Sequence, residues 1–489
     1  MSRLLKLILP LVLILCPGFT QYPQAQTDKV EFTIIQEIKN NPKSPFYIDF
    51  QHYPETKHNL PIGVFDSGTG GLTVLDSILK SDQYNNKTKQ KGPDGIPDFN
   101  LETFIYLGDD ANMPYGRYGS EGKTSLLKEH IIKDVQFLLG RKYYRMPTDT
   151  TAKTDKDPVK TIVIACNTAT AYGFDLIEQS LKKWNLDMKV IGVIEAGAKS
   201  AVKFLEGEGE NRVIGVLATE GTCATNGYKK AILKHYKNRF QNKNIGVVQQ
   251  AGFGLAGAID GDLNYIDPGA STVRHNKIYH GPGLDHPKYP IHLSLWKEYN
   301  FETGNGLLIK RNSNGQIVEL ELNSVINYIR YYVTELVIKT AKIYPGRVVD
   351  AVILGCTHYP YYTKEISDHL MYLRGLDKKY SKIIPGDIRL IDPSHSVAVE
   401  LYRCLVSHNL LAADKKKSKF FISVPNPLLK ENQIDKSGKF LYTYKYGRSI
   451  NRSLEYVKRV PFSPKWINVD VLSRIKSKMP EIFKIIFNY

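Results

Sequence analysis

Residues 161–170 read Thr161-Ile162-Val163-Ile164-Ala165-Cys166-Asn167-Thr168-Ala169-Thr170. An apolar run without polar alternation describes a strand covered on both faces, the kind found in parallel sheets with helices on each side. The run ends at a thiol followed by an amide and two hydroxyls, which are poor core neighbours and good ligand contacts. Ligands of open parallel sheets bind beyond the carboxyl ends of the strands. Cys166 therefore stands where chemistry is expected, at the start of a helix whose oriented N–H groups would lower a thiol pKa. A single cysteine is more often a small core residue, so the reading depends on what surrounds it.

The same texture extends both ways. Short apolar runs at 62–65, 103–107, 190–194, 213–217, 245–248, 352–354 and 389–391 read as buried strands, and 72–79, 125–139, 198–205 and 325–341 read as helices. This alternation is the α/β pattern. A weak internal echo divides it. One half carries Val64-Phe65-Asp66-Ser67-Gly68-Thr69-Gly70 and later Ile164-Ala165-Cys166-Asn167-Thr168. The other carries Val216-Leu217-Ala218-Thr219-Glu220-Gly221-Thr222 and later Leu354-Gly355-Cys356-Thr357-His358. The echo predicts two pseudo-symmetric parallel-sheet α/β domains with the active site in the cleft between them, one cysteine from each.

A length of 489 residues suits two large domains with insertions. The net charge of +17 comes from lysines spread along the chain, with no zinc-finger spacing and no basic zipper. This favours a solvated Lys-rich surface over a nucleic-acid binder, and an acidic small substrate would suit a basic cleft. The five cysteines, Cys16, Cys166, Cys223, Cys356 and Cys404, form no CxxC pair, which argues against a zinc site. Residues 1–26, with Arg3 and Lys6 ahead of an apolar run from Leu7 to Cys16, read as a signal-like leader. Export to the periplasm or membrane surface, with the leader engaging export machinery, is the expectation, and a cytoplasmic protein is the alternative. Residues 27–59 read as a surface linker or arm. The polar, turn-rich segments 82–100, 146–158 and 262–316 read as surface insertions. The basic tail beyond Leu411, with Phe420-Phe421-Ile422-Ser423-Val424, reads as folded.

Three motifs carry the chemistry. Asp66-Ser67-Gly68-Thr69-Gly70-Gly71 follows a strand and opens a helix, a place that favours a carboxylate or phosphate. Its glycine spacing fits neither GxGxxG nor a P-loop, and taken alone its Asp is as often a helix cap. Cys166-Asn167-Thr168 and Cys356-Thr357-His358 each end a strand. His358 can hold a proton near neutral pH, although a structural role against a nearby backbone group is the plainer alternative. Two equivalent thiols suit a symmetric reaction, in which one base takes a proton from one face of a carbon and the other returns it to the opposite face. Pro114-Tyr115-Gly116 is a turn that could bring backbone groups up to a ligand.

Six segments in order resemble the aspartate/glutamate racemase family: Asp66 to Gly71, Pro114 to Gly116, Ala165 to Ala169, Gly192 to Gly197, Ala218 to Thr222 and Leu354 to Pro360. The Cys-Thr-His version points to its glutamate-specific branch. The resemblance implies a cofactor-independent isomerase, requiring no metal, pyridoxal phosphate or nucleotide, that racemises glutamate and supplies D-glutamate for peptidoglycan. It implies Cys166 and Cys356 as the catalytic pair, assisted by Asp66 and His358. It also implies substrate contacts from Asp66, Ser67, Tyr115, Gly116, Asn167, Thr168, Thr357 and His358. The implied layout is a discontinuous first domain over 60–197 and 388–489, and a second domain over 198–387 with the insertion at about 262–316. The partner is a small molecule, with no nucleic acid, and a homodimer is left open. Two departures stand out. Where the family often has a Glu after the strand at 245–248, this chain offers Gln250-Ala251-Gly252 and then Ile259-Asp260-Gly261, so a shorter carboxylate can stand in. The leader is the other, because two reduced thiols sit badly in an oxidising compartment. A racemase of another amino acid such as aspartate, or an exported non-catalytic amino-acid-binding protein on the same fold, are the competing readings.

Overall fold

A computed structural model describes residues 32–205, 212–240, 244–274 and 278–487. The leader lies outside the described residues, and among those described no helix is long and apolar enough to cross a membrane. The strands in chain order are β1 (Ile62–Asp66), β2 (Phe104–Gly108), β3 (Thr161–Ile164), β4 (Lys189–Gly192), β5 (Arg212–Ala218), β6 (Gly246–Ala251), β7 (Leu307–Arg311), β8 (Ile317–Leu322), β9 (Val348–Gly355), β10 (Arg389–Ile391), β11 (Lys419–Pro425) and β12 (Val457–Pro461). They form a six-stranded sheet in the order β12-β11-β2-β1-β3-β4, a four-stranded sheet in the order β10-β9-β5-β6, and the hairpin β7-β8. Within the two large sheets only β12 runs antiparallel to its neighbour.

The unalternated apolar runs are explained by burial on both faces. In the first sheet Phe65, Ile162 and Ile164 pack beneath the helices Thr124–Leu139 and Asn167–Lys183. Val64 and Val163, their pleat neighbours, pack on the other face against Leu72–Leu79 and Pro393–Ser407. The second sheet repeats the plan. Val213, Leu217 and Val352 face Val325–Ile343, while Ile214, Val216 and Ile353 face Val193–Lys203 and Gly227–Phe240. The expected α/β architecture of two mainly parallel sheets is present, with an antiparallel edge strand and a small hairpin added to it.

Several local expectations are corrected. The run at 190–194 is strand only to Gly192. Val193 opens the helix Val193–Lys203, whose Ile194, Ala198, Ala201 and Val202 recur at helical spacing and are buried. The return to the first sheet starts later than residue 388, because β10 still pairs with β9 and the helix beginning at Pro393 is the first element back. The segment 262–316 is not merely a surface insertion, since Tyr265, Tyr279, Ile291, Tyr299, Phe301 and Leu307 join the core of the second sheet. Residues 32–59 are an arm, but one built into the core. In the helix Thr33–Asn40 the residues Ile34, Ile35 and Ile38 are buried against the first sheet's helices, and Trp184 Nε1 donates to the Ile35 carbonyl at 2.9 Å. The basic tail is folded as expected: β11 pairs with β2, and Val471, Ile475, Met479 and Ile482 of the last two helices enter the core above β1.

The arm's burial sets an expectation for stability. Ile38→Ala should lower the unfolding free energy by about 2–4 kcal/mol, as removal of a buried aliphatic side chain does. A surface linker would lose less than about 0.5 kcal/mol. Urea denaturation of the variant against the parent protein measures the difference.

Candidate active site

The carboxyl ends of β1 and β3 and of β5 and β9 open onto one cleft of about 530 Å³, counting its mouth. β3 lies beside β1 in one sheet and β9 beside β5 in the other, so each cysteine emerges next to a strand that ends in hydroxyl-bearing residues. Ser67, Tyr115, Gly116, Cys166, Asn167, Thr168, Cys356, Thr357 and His358 all line the cleft. Nine residues chosen from the sequence thus converge from two sheets.

Asp66 is the exception. It is completely buried behind the cleft wall, where Oδ2 accepts from the Gly71 N–H at 2.9 Å and the Gly68 N–H at 3.2 Å. It therefore folds its own loop, and a direct substrate contact is not its position. Its other oxygen, Oδ1, is buried without a hydrogen-bond partner among the described residues. Burial pushes this carboxyl's pKa up, ahead of the opposing pull of His358 and of the N–H groups of Gly71, Gly68 and Ser67.

Cys166 caps the helix Asn167–Lys183, and its Sγ accepts from the Ala169 N–H at 3.4 Å. The helix start is where the sequence places it, but the expected lowering of the thiol pKa does not follow. Burial first, and the neighbouring Asp66 second, push the thiol well up, outweighing the N–H of Ala169 and the contacts of Ser67. A thiol shifted upward in this way favours its protonated form at neutral pH.

The opposite wall is charged. His358 Nδ1 lies 3.5 Å from Cys356 Sγ, and His358 Nε2 lies 2.8 Å from Asp260 Oδ2. Burial works against the imidazolium, yet Asp260 and then Cys356 overcome it and hold the ring's pKa well above the ordinary imidazole range. Asp260 is held below the usual carboxylate range: burial raises it, but His358 and Arg474 together lower it further. Asp260 also lines the cleft and fills the place of the shorter carboxylate anticipated after β6. All four cysteines among the described residues are free thiols.

Two expectations about the ligand contacts change. The Tyr115 phenol is spent inside the protein, donating to Asp109 and lying equally close, 2.6 Å, to Asp134, so its hydroxyl does not face a ligand. The cleft is not basic either, because none of the residues lining it is Lys or Arg. Beside the thiols, His358, Asp260 and Asp262, its polar groups are hydroxyls, an amide and backbone. Thr168 Oγ1 contacts Thr219 Oγ1 at 3.0 Å and Thr222 Oγ1 at 3.2 Å, and Asn167 Oδ1 accepts from Tyr228 at 2.5 Å. These contacts stitch the end of β3 to the second sheet's loops. Thr219 is a lining residue that sequence reasoning placed in a motif but not in the site.

Close approach explains two glycines. A Cβ on Gly70 would collide with Thr357 Oγ1 and come within 2.9 Å of His358 Cε1, and one on Gly116 would lie 3.1 Å from Thr219 Cβ. Both positions are where a loop of the first sheet meets one of the second; at Gly70 only a bare backbone lets the cleft narrow this far, and at Gly116 a side chain would need Thr219 to give way by a few tenths of an ångström.

No family model matches the chain. A curated relative from Clostridium novyi, named glutamate racemase, is 27% identical over 370 residues, covering 75% of this chain and 92% of its own. Another from Oceanobacillus iheyensis, also named glutamate racemase, is 35% identical over 174 residues, and there the match spans about half of the relative, 46%, and 35% of this chain. Among solved structures, the glutamate racemase isoform RacE1 from Bacillus anthracis aligns at 22% identity over 75% of this chain and 89% of its own, with a TM-score of 0.45.

The charged wall makes a sharp expectation. In the parent protein His358 should remain an imidazolium at neutral pH. Asp260→Asn removes the largest influence raising its pKa and leaves burial, so the ring should be neutral at pH 7. Because the folded-state pKa is raised, the stability contributed by this pair is full below the ordinary imidazole pKa of about 6.5 and is lost as pH rises through the folded value. The variant's destabilisation should therefore shrink at high pH. Histidine ¹⁵N shifts and denaturation at several pH values report both effects.

Proposed function

We propose that this chain, which belongs to the glutamate racemase family, interconverts L- and D-glutamate by passing the α-proton between Cys166 and Cys356 without a cofactor. One observation carries the reading: two buried thiols from separate sheets share a cleft sized for a small molecule, and each has its own proton-handling neighbour.

Starting from L-glutamate, the Cys356 thiolate removes the α-proton. The pair of electrons left on carbon spreads into the α-carboxylate, and Cys166 delivers its proton to the opposite face. The product is D-glutamate with a Cys356 thiol and a Cys166 thiolate, and the reverse reaction retraces the steps. His358 Nδ1 lies 3.5 Å from Cys356 Sγ, near enough to take part in the accepting role of Cys356. The protonated state of Cys166 suits it to donate, and Asp66, buried beside it with a raised pKa, is suited to share that proton on the return. Ser67, Asn167, Thr168 and Thr357 supply hydroxyl and amide groups for the carboxylates and ammonium of the substrate, and backbone of the Tyr115-Gly116 turn completes the binding surface. D-glutamate for peptidoglycan is the product's proposed use. The leader supports export, for which N-terminal sequencing of protein from its native host should begin after Cys16.

Circular dichroism with L-glutamate and L-aspartate tests the substrate. Rotation should decay with L-glutamate, and this activity should survive EDTA and exhaustive dialysis. Cys166→Ser and Cys356→Ser should each abolish racemisation, because an unassisted serine hydroxyl is far too weak a base. In heavy water a single remaining thiol should still exchange the α-proton of one enantiomer, D for Cys166 and L for Cys356. Racemisation near the parent rate by either variant would sink the two-base mechanism, and decay with L-aspartate alone would move the substrate to aspartate.

A further inference from the structure

Asp260 faces two cations. His358 Nε2 approaches its Oδ2, while its Oδ1 accepts from Arg474 Nη2 at 2.5 Å. The same guanidinium donates through Nη1 to the Ile259 carbonyl at 2.5 Å and lies 5.0 Å over the Tyr361 ring. Arg474 sits on the helix Val469–Lys478, 214 positions from Asp260, and both side chains are nearly buried, at 13% and 8% exposure. The helix itself belongs to the other body: its Val471 and Ile475 are packed in the core above β1.

We infer that Arg474 is a positioning residue for His358, reaching from the helix Val469–Lys478 to fix the Asp260 carboxylate against which the imidazole is held. The inference rests on the racemase reading for its kinetic consequence, not for its geometry. A carboxylate on a short side chain has soft torsions. With Oδ1 tied to one nitrogen of a planar fork and the backbone of Ile259 tied to the other, the carboxylate plane is fixed and Oδ2 is left to His358. A lysine has one nitrogen and cannot grip both oxygens in this geometry. The array His358⁺, Asp260⁻, Arg474⁺ also leaves one net positive charge beside Cys356, where a thiolate must form. Since the fork is anchored in the first sheet's core and its target belongs to the second sheet's body, the His358 wall is aligned only while the two bodies are docked.

Kinetics of Arg474→Gln, Arg474→Lys, Asp260→Asn, the double variant Arg474→Gln/Asp260→Asn, and Lys478→Gln as a charge control on the same helix test this. Misplacing a group by about an ångström costs up to about 100-fold in rate. Arg474→Gln should lose about 10- to 100-fold in kcat with KM changed by less than about threefold. Arg474→Lys should recover part of the loss, and Lys478→Gln should match the parent. The double variant should be no slower than Asp260→Asn alone, because Arg474 acts only through that carboxylate. Losses that multiply, or an Arg474→Gln variant with parental kcat, overturn the inference. A second measurement is independent of turnover. The ring ¹⁵N signals of His358, which lies 2.8 Å from Asp260, should shift in Arg474→Gln and match the parent in Lys478→Gln. If the parent racemises nothing but the signals behave so, the proposed function fails and the clamp stands. If the signals are unchanged in Arg474→Gln, the clamp fails whatever the activity.

Discussion

An imidazolium buried between a carboxylate and a thiol is costly to hold, and the architecture around the cleft follows from holding it. Removing either partner of such a buried pair leaves an uncompensated charge, so His358, Asp260 and Cys356 have to arrive together and stay in place. Cys356 and His358 leave the end of β9, a strand paired along its length with β5 in the middle of the second sheet. Asp260 follows a short helix after β6, on the far side of β5. Three groups from two strands meet because a parallel sheet delivers all its carboxyl ends to one edge.

The first sheet brings a wall of opposite character to the same cleft. Cys166 and Asp66 are buried with few donors, and both are driven toward their protonated forms. The two sides are related by topology and differ in electrostatics: one keeps a proton on sulfur, the other keeps a proton on a ring beside sulfur. Glycines at 70 and 116 let the walls come close enough for one small molecule to touch both.

Legibility in the sequence follows physical range. The buried strands were readable because burial on both faces removes polar alternation, a property of each strand alone. The two cysteines were readable because each follows such a strand and precedes hydroxyl and amide residues. The Val193 helix start was misread because Val190-Ile191-Gly192-Val193-Ile194 is apolar throughout, and periodicity over five residues does not separate strand from helix. That the arm at 27–59 is built into the core from residue 32 on was not legible, because its α-helix is eight residues long and its packing partners include Trp184, 149 positions from the Ile35 carbonyl it binds.

By itself the sequence determined the α/β class, the order of the motifs, the pair of thiols and most of the residues that line the cleft, because each of these depends on neighbours along the chain. The tertiary structure alone decided the protonation of the site and its second line of support. Whether Cys166 is thiol or thiolate depends on how far burial and Asp66 outweigh a helix start. Tyr115 turns inward because Asp109 and Asp134 converge on it. Arg474 reaches Asp260 across 214 residues of chain. Desolvation and through-space charge are properties of the packed molecule, and no local pattern of residues encodes them.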